Sequence, residues 1–163
     1  MEETRQESIE KLKSLTEGID FCMLTTINGG QLRSRPMSTQ EMDDDGDLWF
    51  FTSDETHKVD EIEADSRVNA AYSKIDDNLY VSVSGRASLV KDRQKIEELW
   101  NPILKAWFPE GLDDPTLSLL RVSIEEAEYW DSPNSKIVQL YGFVKAVVTG
   151  QPARGGDHGK VTL

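Results

Sequence analysis

Cysteine and histidine are scarce in this sequence of 163 residues. The single cysteine, Cys22, cannot form a disulfide within the chain, which is typical of a protein in a reducing compartment, most simply the cytoplasm. It lies between Phe21 and Met23, so we interpret it as a small core residue and not as a nucleophile. The two histidines, His57 and His158, are too few for a histidine-based metal site, and we expect no metal.

Long apolar runs and basic residues are also in short supply. No segment approaches the ~18 to 20 apolar residues that cross a bilayer, and no signal-peptide pattern opens the chain. The 18 lysines and arginines are outnumbered by 30 aspartates and glutamates, which gives a net charge of −12. Because binding to a phosphate backbone depends on a surplus of cations, we expect neither nucleic acid nor a membrane as a partner.

The composition that remains is that of one soluble globular domain, with 37% hydrophobic and 29% charged residues. We expect this domain to span residues 1–150. Residues 151–163 contain few side chains able to hold a core, so we expect a flexible C-terminal tail there.

The spacing of apolar residues predicts both helices and strands. The predicted helices span residues 2–17, 56–64, 92–99 and 135–149, and the predicted strands span 21–27, 31–38, 48–52, 68–72, 79–90 and 117–130. This order does not have the regular strand–helix alternation of a parallel sheet. We therefore predict a mainly β, α+β protein, an antiparallel barrel with peripheral helices.

Turn-forming residues support this assignment. Asn28-Gly29-Gly30 tolerates positive φ and predicts a hairpin. The acidic run over 43–47 departs from the ligand pattern of an EF-hand loop, so we interpret it as a solvated hairpin turn. Gly85, inside a long predicted strand, indicates a bulge or a close approach of two backbones.

Three cations lie in or next to adjacent predicted strands of this otherwise acidic chain: Arg33, Arg35 and Lys58. If Arg35 and Lys58 converge, they could clamp a phosphate, with Ser53, Thr56 and backbone N–H groups completing the hydrogen bonding. The segment has none of the glycines of a P-loop or a dinucleotide fingerprint. The alternative, that these cations are solvated strand residues paired with neighbouring carboxylates, stays open.

Aromatic residues are concentrated in an irregular segment over 105–112, which we predict to be a structured loop. Trp107 lies there between Lys105 and Pro109. An exposed ring in such a segment serves an interface or a ligand more often than a core, so we favour a ligand or dimer role for Trp107.

In order and spacing, these residues resemble the flavin-binding pattern of the pyridoxamine 5′-phosphate oxidase-like, FMN-binding split-barrel family. The pattern consists of Arg35-Pro36-Met37 on one strand, Phe51-Thr52 at the end of the next, and His57-Lys58 entering a helix. Within that family, the segments over 107–111 and 128–131 resemble the general stress protein 26 group. The similarity extends from the first helix to Gly150.

This resemblance implies a six-stranded Greek-key split barrel that forms a homodimer with FMN at the subunit interface. It implies that Arg35 and Lys58 hold the FMN phosphate, with His57 beside them. The other flavin contacts that it implies are Pro36, Met37, Ser38, Phe51, Thr52, Tyr80, Trp107 and Trp130, and in the dimer the two tryptophans can come from the partner subunit.

The resemblance also bears on activity. His57 stands where the oxidase itself has an arginine, and the arginine-rich C-terminal substrate motif of the oxidase is not found, so we do not expect formation of pyridoxal phosphate. We expect a flavin-dependent oxidoreductase that acts on a small molecule by hydride transfer at the flavin. The alternatives are a flavin-binding or redox-sensing stress module without turnover, or the same barrel holding FAD, deazaflavin F420 or haem.

Overall fold

The computed structural model describes residues 4–132, 147, 148, 150 and 157–163. The helices whose bounds it gives are α1 (Arg5–Thr16), α2 (His57–Ala64) and α3 (Arg93–Leu99). Its strands are β1 (Phe21–Asn28), β2 (Gln31–Met42), β3 (Asp47–Ser53), β4 (Arg67–Lys74), β5 (Leu79–Val90), β6 (Leu117–Asp131) and β7 (Asp157–Thr162). Short 3₁₀ helices occupy Ile75–Asp77, Pro102–Ala106 and Gly111–Asp113. The six predicted strands and the first three predicted helices are all present.

Six of the strands close into a barrel. They are hydrogen-bonded in the order β3-β2-β1-β4-β5-β6, and β3 pairs a second time with β6, where Phe50 lies opposite Leu120. Every pair is antiparallel. The predicted α+β split barrel is therefore confirmed. Strand β7 is an addition to it and pairs with the second half of β6, beyond the stretch that β3 uses.

Glycines fix two features of the barrel wall. Gly29 and Gly30 both have positive φ, of 56° and 83°, and they form the two-residue turn of the predicted β1–β2 hairpin. The β5–β6 register shifts between Ser84 and Gly85, where a Cβ on Gly85 would lie 2.1 Å from the carbonyl oxygen of Ser123. The close approach predicted at Gly85 is thus confirmed.

The main hydrophobic core fills the barrel and one of its ends. Leu24, Phe50, Val83 and Leu120 are completely buried inside it. Leu12 of α1 packs against the same cluster. This helix therefore covers one end of the barrel, as its amphipathic pattern predicts.

A second, smaller core lies outside the barrel wall. It joins Trp49 and Phe51 of β3 to Leu119 of β6, Ile96 of α3 and Leu104 of the following 3₁₀ helix. Strand β3 is consequently buried on both faces, which explains why its sequence is a continuous apolar run and not an alternating one. The second core attaches the segment over 93–112 to the barrel and so builds one wall of the cavity described below.

The C-terminal residues differ from the prediction of a flexible tail over 151–163. Residues Asp157–Thr162 form β7, and Val161 is buried in the main core opposite Ala127. The helix predicted over 135–149 falls outside the described residues, except for Val147 and Val148. Within the part of the chain that is described, no helix has both the length and the apolar character needed to span a bilayer.

Candidate functional site

A cavity of about 360 Å³ lies between the start of β1, the middle of β2, the end of β3 and the segment after α3. Its apolar lining consists of Phe21, Pro36, Met37, Phe51, Leu104, Trp107 and Phe108. Its polar lining consists of Ser38, Gln40, Thr52, Ser53, Thr56, Lys58 and Asp114. The cavity thus combines aromatic walls with a short row of hydroxyls and one cation, a composition typical of a small-molecule site.

The aromatic wall is held in place by local hydrogen bonds and ring packing. Asn101 caps the 3₁₀ helix at Pro102–Ala106, and the Trp107 and Phe108 amides both donate to the Leu104 carbonyl, at 3.0 and 2.9 Å. Trp107 is 58% exposed, yet its ring packs against Phe21 with 6.3 Å between ring centroids. An exposed ring with a fixed backbone is ready to cover a planar ligand.

The polar end of the cavity is formed where β3 leads into α2. Lys58 Nζ donates to Thr52 Oγ1 at 2.8 Å, and the Thr56 hydroxyl donates to the Ser53 carbonyl at 3.1 Å. Thr56 is the N-cap residue of α2, but its side chain accepts no hydrogen bond from the first turn of the helix. The N-terminus of α2, which this side chain does not cap and where the helix dipole is positive, therefore lies at the cavity together with Lys58.

Burial and charge act together on Lys58. Burial lowers the pKa of its ammonium group, the positive charge of Arg35 lowers it further, and the carboxylate of Glu61 acts in the opposite direction. Among the described residues, no carboxylate lies within ion-pair distance of Lys58. A bound anion would stabilise the charged form of Lys58 and so act against this lowering of its pKa.

Arg33 and Arg35 meet a buried carboxylate beside the cavity. Arg33 Nη1 lies 2.8 Å from Glu61 Oε1, and Arg35 Nη2 lies 3.0 Å from Glu61 Oε2. The Thr26 hydroxyl donates to the same carboxylate, and this bond is the largest cause of the lowered pKa of Glu61. The alternative of pairing with a carboxylate therefore holds for Arg33 and Arg35, and the phosphate clamp of Arg35 and Lys58 stays a prediction.

The structure divides the predicted site residues into groups. Those it brings together around the cavity are Pro36, Met37, Ser38, Phe51, Thr52, Lys58 and Trp107. Arg35 is not part of this lining, and its guanidinium is paired with Glu61.

The remaining predicted residues lie elsewhere on this chain. His57 is exposed and lines a separate depression with Arg33 and Asp60. Tyr80 and Trp130 are cross-strand neighbours on β5 and β6, away from the cavity, and Trp130 stacks on His158 of β7.

Sequence reasoning missed several residues of the site. Phe21 could have been found from the alternation of β1, because burial of Cys22 and Leu24 turns Phe21 and Met23 outward. Glu61 could have been sought from Arg33 and Arg35, which share a face of β2 and need a counter-charge. Gln40 follows Pro36 and Ser38 at alternate positions of β2, and Phe108 is next to Trp107, so both could have been found. Asp114 carries no comparable signal, because it reaches the cavity through tertiary packing.

Comparison with known proteins gives consistent results. The family model described as pyridoxamine 5′-phosphate oxidase like matches residues 7–153. Protein bli-3 of Neurospora crassa is 32% identical over 158 residues, which cover 90% of this chain and 76% of that protein. General stress protein 26 of Bacillus subtilis is 29% identical over 120 residues, covering 72% of this chain and 84% of that protein.

Two solved structures extend the comparison to the fold. One, from a Jannaschia species and described as a general stress protein 26, has a TM-score of 0.74 at 28% identity and covers 94% of this chain and 97% of that chain. The other, the general stress FMN/FAD binding protein of Xanthomonas citri, has a TM-score of 0.67 at 31% identity and covers 80% of this chain and 91% of that chain. The protein described here therefore belongs to the pyridoxamine 5′-phosphate oxidase-like family, in which it resembles general stress protein 26.

Proposed function

We propose that this protein binds FMN in the cavity beside Lys58 and acts as a flavin-dependent oxidoreductase on a small molecule. The observation that carries the proposal is the cavity itself, which places a lysine and an uncapped helix N-terminus at one end of an aromatic wall. FMN has a planar ring and a phosphate joined by a flexible chain, so its ring can face the aromatic wall while its phosphate reaches Lys58. The Xanthomonas citri relative, described as FMN/FAD binding, supports the same cofactor class.

The donor set fits this cofactor. Lys58 and the first-turn amides of α2 would hold the phosphate, because they offer a charge and hydrogen-bond donors at the same end of the cavity. The Thr52 and Thr56 hydroxyls would join them by turning their O–H groups from the Ser53 carbonyl to the phosphate. Met37 and the rings of Phe21 and Trp107 would contact the isoalloxazine ring.

The contribution of this chain to the reaction is binding, orientation and exclusion of water. When bound, the flavin supplies two-electron chemistry through hydride transfer at its N5 atom. Lys58 and Asp114 are the titratable side chains of the cavity lining, and Asp114 Oδ1 already accepts from the Thr116 amide and hydroxyl, each at 2.8 Å. Trp107 would cover the ring and keep water from it.

We also propose that the protein works as a homodimer with the flavin at the interface. The outward face of β1, β4, β5 and β6 exposes Phe21, Met23, Tyr80 and Trp130. Small residues lie between these exposed side chains, because Ala71 of β4 pairs with Met23 of β1 on one side and with Ser82 of β5 on the other. An apolar face of this kind marks an interaction surface, and a second copy would bring Tyr80 and Trp130 to the cavity that they do not reach in their own chain.

A flavin-binding or redox-sensing module without turnover is the second candidate. It is favoured by the cavity lining, in which the one carboxylate, Asp114, is engaged in hydrogen bonds of its own loop. The two functions differ in whether an electron donor reaches the bound cofactor.

The visible spectrum separates these possibilities. Purified protein is titrated with FMN, and NADPH is then added without oxygen. Flavin bands that bleach support the oxidoreductase, whereas bound flavin that stays oxidised supports the module or a different donor. A spectrum typical of haem or F420 in the protein as purified, or tighter binding of FAD than of FMN, would replace the cofactor in the proposal.

A further inference from the structure

Glu61 is the one charged side chain that is buried among the described residues, with 6% of its surface exposed. It lies on α2 three residues after Lys58, so both side chains project from the same side of that helix. Removing a carboxylate from water is costly unless its oxygens are fully paired. The buried position of Glu61 therefore requires partners for both of its carboxylate oxygens.

Three groups from two strands satisfy the carboxylate. Thr26 of β1 donates to Oε2 at 2.5 Å, Arg35 of β2 to Oε2 at 3.0 Å, and Arg33 of β2 to Oε1 at 2.8 Å. The register explains the arrangement, because Thr26 lies opposite Arg33 and Leu24 lies opposite Arg35. Glu61 thus ties α2 to the hairpin whose second strand lines the cavity.

Arg35 is the group whose orientation depends most on this carboxylate. Its Nη2 donates to Glu61, its Nη1 donates to the Leu24 carbonyl at 3.4 Å, and its side chain is 20% exposed. A guanidinium has five N–H groups, so these two bonds leave donors for a further acceptor. Without the carboxylate, one long bond to a carbonyl would hold the guanidinium in place.

We propose that Glu61 is a positioning residue, which fixes the guanidinium of Arg35 next to the end of the cavity that Lys58 lines, so that the charges of both cations act on the phosphate of the flavin. This inference rests on the proposed function. Burial is the largest cause of the lowered pKa of Lys58, and the charge of Arg35 is the second, so the guanidinium lies close enough to act on the ammonium group. Arg33 balances the second oxygen of the carboxylate and is itself half exposed.

A positioning role of Glu61 and a purely electrostatic role predict opposite effects on anion binding when its charge is removed. Arg33, Arg35, Lys58 and Glu61 together carry a formal charge of +2, which matches a phosphate monoester of about −1.5 to −2. Removing the charge of Glu61 would make the site more positive and, by Coulomb attraction alone, would tighten anion binding. Loss of a positioning residue would weaken it.

The test compares Glu61→Gln with Glu63→Gln, which removes the same charge from an exposed position on the same helix. Each protein is titrated with FMN and with riboflavin, which has the same ring system without the phosphate. We expect Glu61→Gln to weaken FMN binding about tenfold, the effect of one charge-assisted hydrogen bond, and to leave riboflavin binding and the Glu63→Gln control unchanged.

Three results would overturn the inference. Tighter FMN binding by Glu61→Gln would show that Glu61 acts only through its charge, and unchanged FMN binding would show that it has no positioning role. An equal loss for FMN and riboflavin would show a merely structural role. Wild-type protein that binds neither ligand would refute the proposed function itself, before any variant is made.

A second variant covers the case in which Glu61→Gln does not fold. Thr26→Val removes one hydrogen bond to the carboxylate and keeps both the shape of the residue and the charge of Glu61. We expect Thr26→Val to lower FMN affinity relative to riboflavin affinity. An unchanged ratio in a folded Thr26→Val protein would contradict the inference.

Discussion

Some side chains near the cavity can be predicted from their neighbours in sequence, and others are found only from the packing of the folded chain. Lys58 and Thr52 could be predicted because a strand end, a hydroxyl-rich turn and a helix start follow one another in the sequence. Glu61 has no such signal on its own helix, and the arginines that call for a counter-charge lie on a distant hairpin, as does Thr26. Residues that complete an electrostatic cluster from another element leave no local pattern.

Cys22 gives a prediction about pH. It is 3% exposed, and burial raises the pKa of its thiol to about 11, in spite of hydrogen bonds with Thr39 and Tyr72 that act in the other direction. An unfolded chain loses this proton near pH ~8.5. The folded state therefore binds more protons between these two values, and the free energy of unfolding falls as pH rises through that window.

The measurement is urea unfolding at about pH 8 and about pH 10.5. We expect wild-type protein to lose about 2 kcal/mol more between these two conditions than Cys22→Ala does. An equal loss in both proteins would show that the thiol does not titrate as its burial requires. Burial is the largest cause of the raised pKa of Tyr72 and persists in Cys22→Ala, so Tyr72 contributes to the loss in both proteins.

Among the secondary-structure elements, β5 and β6 depend on the bulge at Gly85. A methyl group at this position would meet the backbone oxygen of Ser123, and a backbone atom cannot move aside as the end of a side chain can. We expect Gly85→Ala to lower the free energy of unfolding by about 3 kcal/mol. The matched control is Ser88→Ala at an exposed position of the same strand, and chemical denaturation of both variants checks the prediction. Equal stability of the two would contradict it.

The sequence predicts the elements unequally well. Strand β5 alternates buried and exposed residues, and β3 is a continuous apolar run because both its faces are covered, so both strands could be identified. Strand β7 could not be. Val161 is its single apolar residue, and its partner β6 lies far away in sequence, so only the tertiary pairing makes it a strand.

For the molecule as a whole, the outward face with Tyr80 and Trp130 gives a prediction about assembly. If two copies share each site, Trp130→Ala should weaken FMN binding although Trp130 lies outside the cavity of its own chain. Light scattering should show a dimer, as expected for a self-complementary face with two-fold symmetry. A monomer at the concentrations at which FMN binds would contradict the shared site.

Mixed dimers test the sharing directly. When Lys58→Met and Trp130→Ala chains are unfolded together and refolded, each mixed dimer has one site with both changes and one with neither. We expect about a quarter of all sites to recover wild-type affinity, the share given by random two-fold pairing. Recovery of none would place both residues in the site of a single chain.

FMN titration of the wild-type protein beside Lys58→Met tests the account of the cavity most directly. Lys105→Met is the control, since Lys105 is an exposed lysine of the segment that carries Trp107. We predict that wild type and Lys105→Met bind FMN equally, and that Lys58→Met binds it about 30-fold more weakly because a phosphate loses its charge-assisted partner. FMN binding that is absent from wild type, or unchanged in Lys58→Met, would contradict the assignment of this cavity to the flavin.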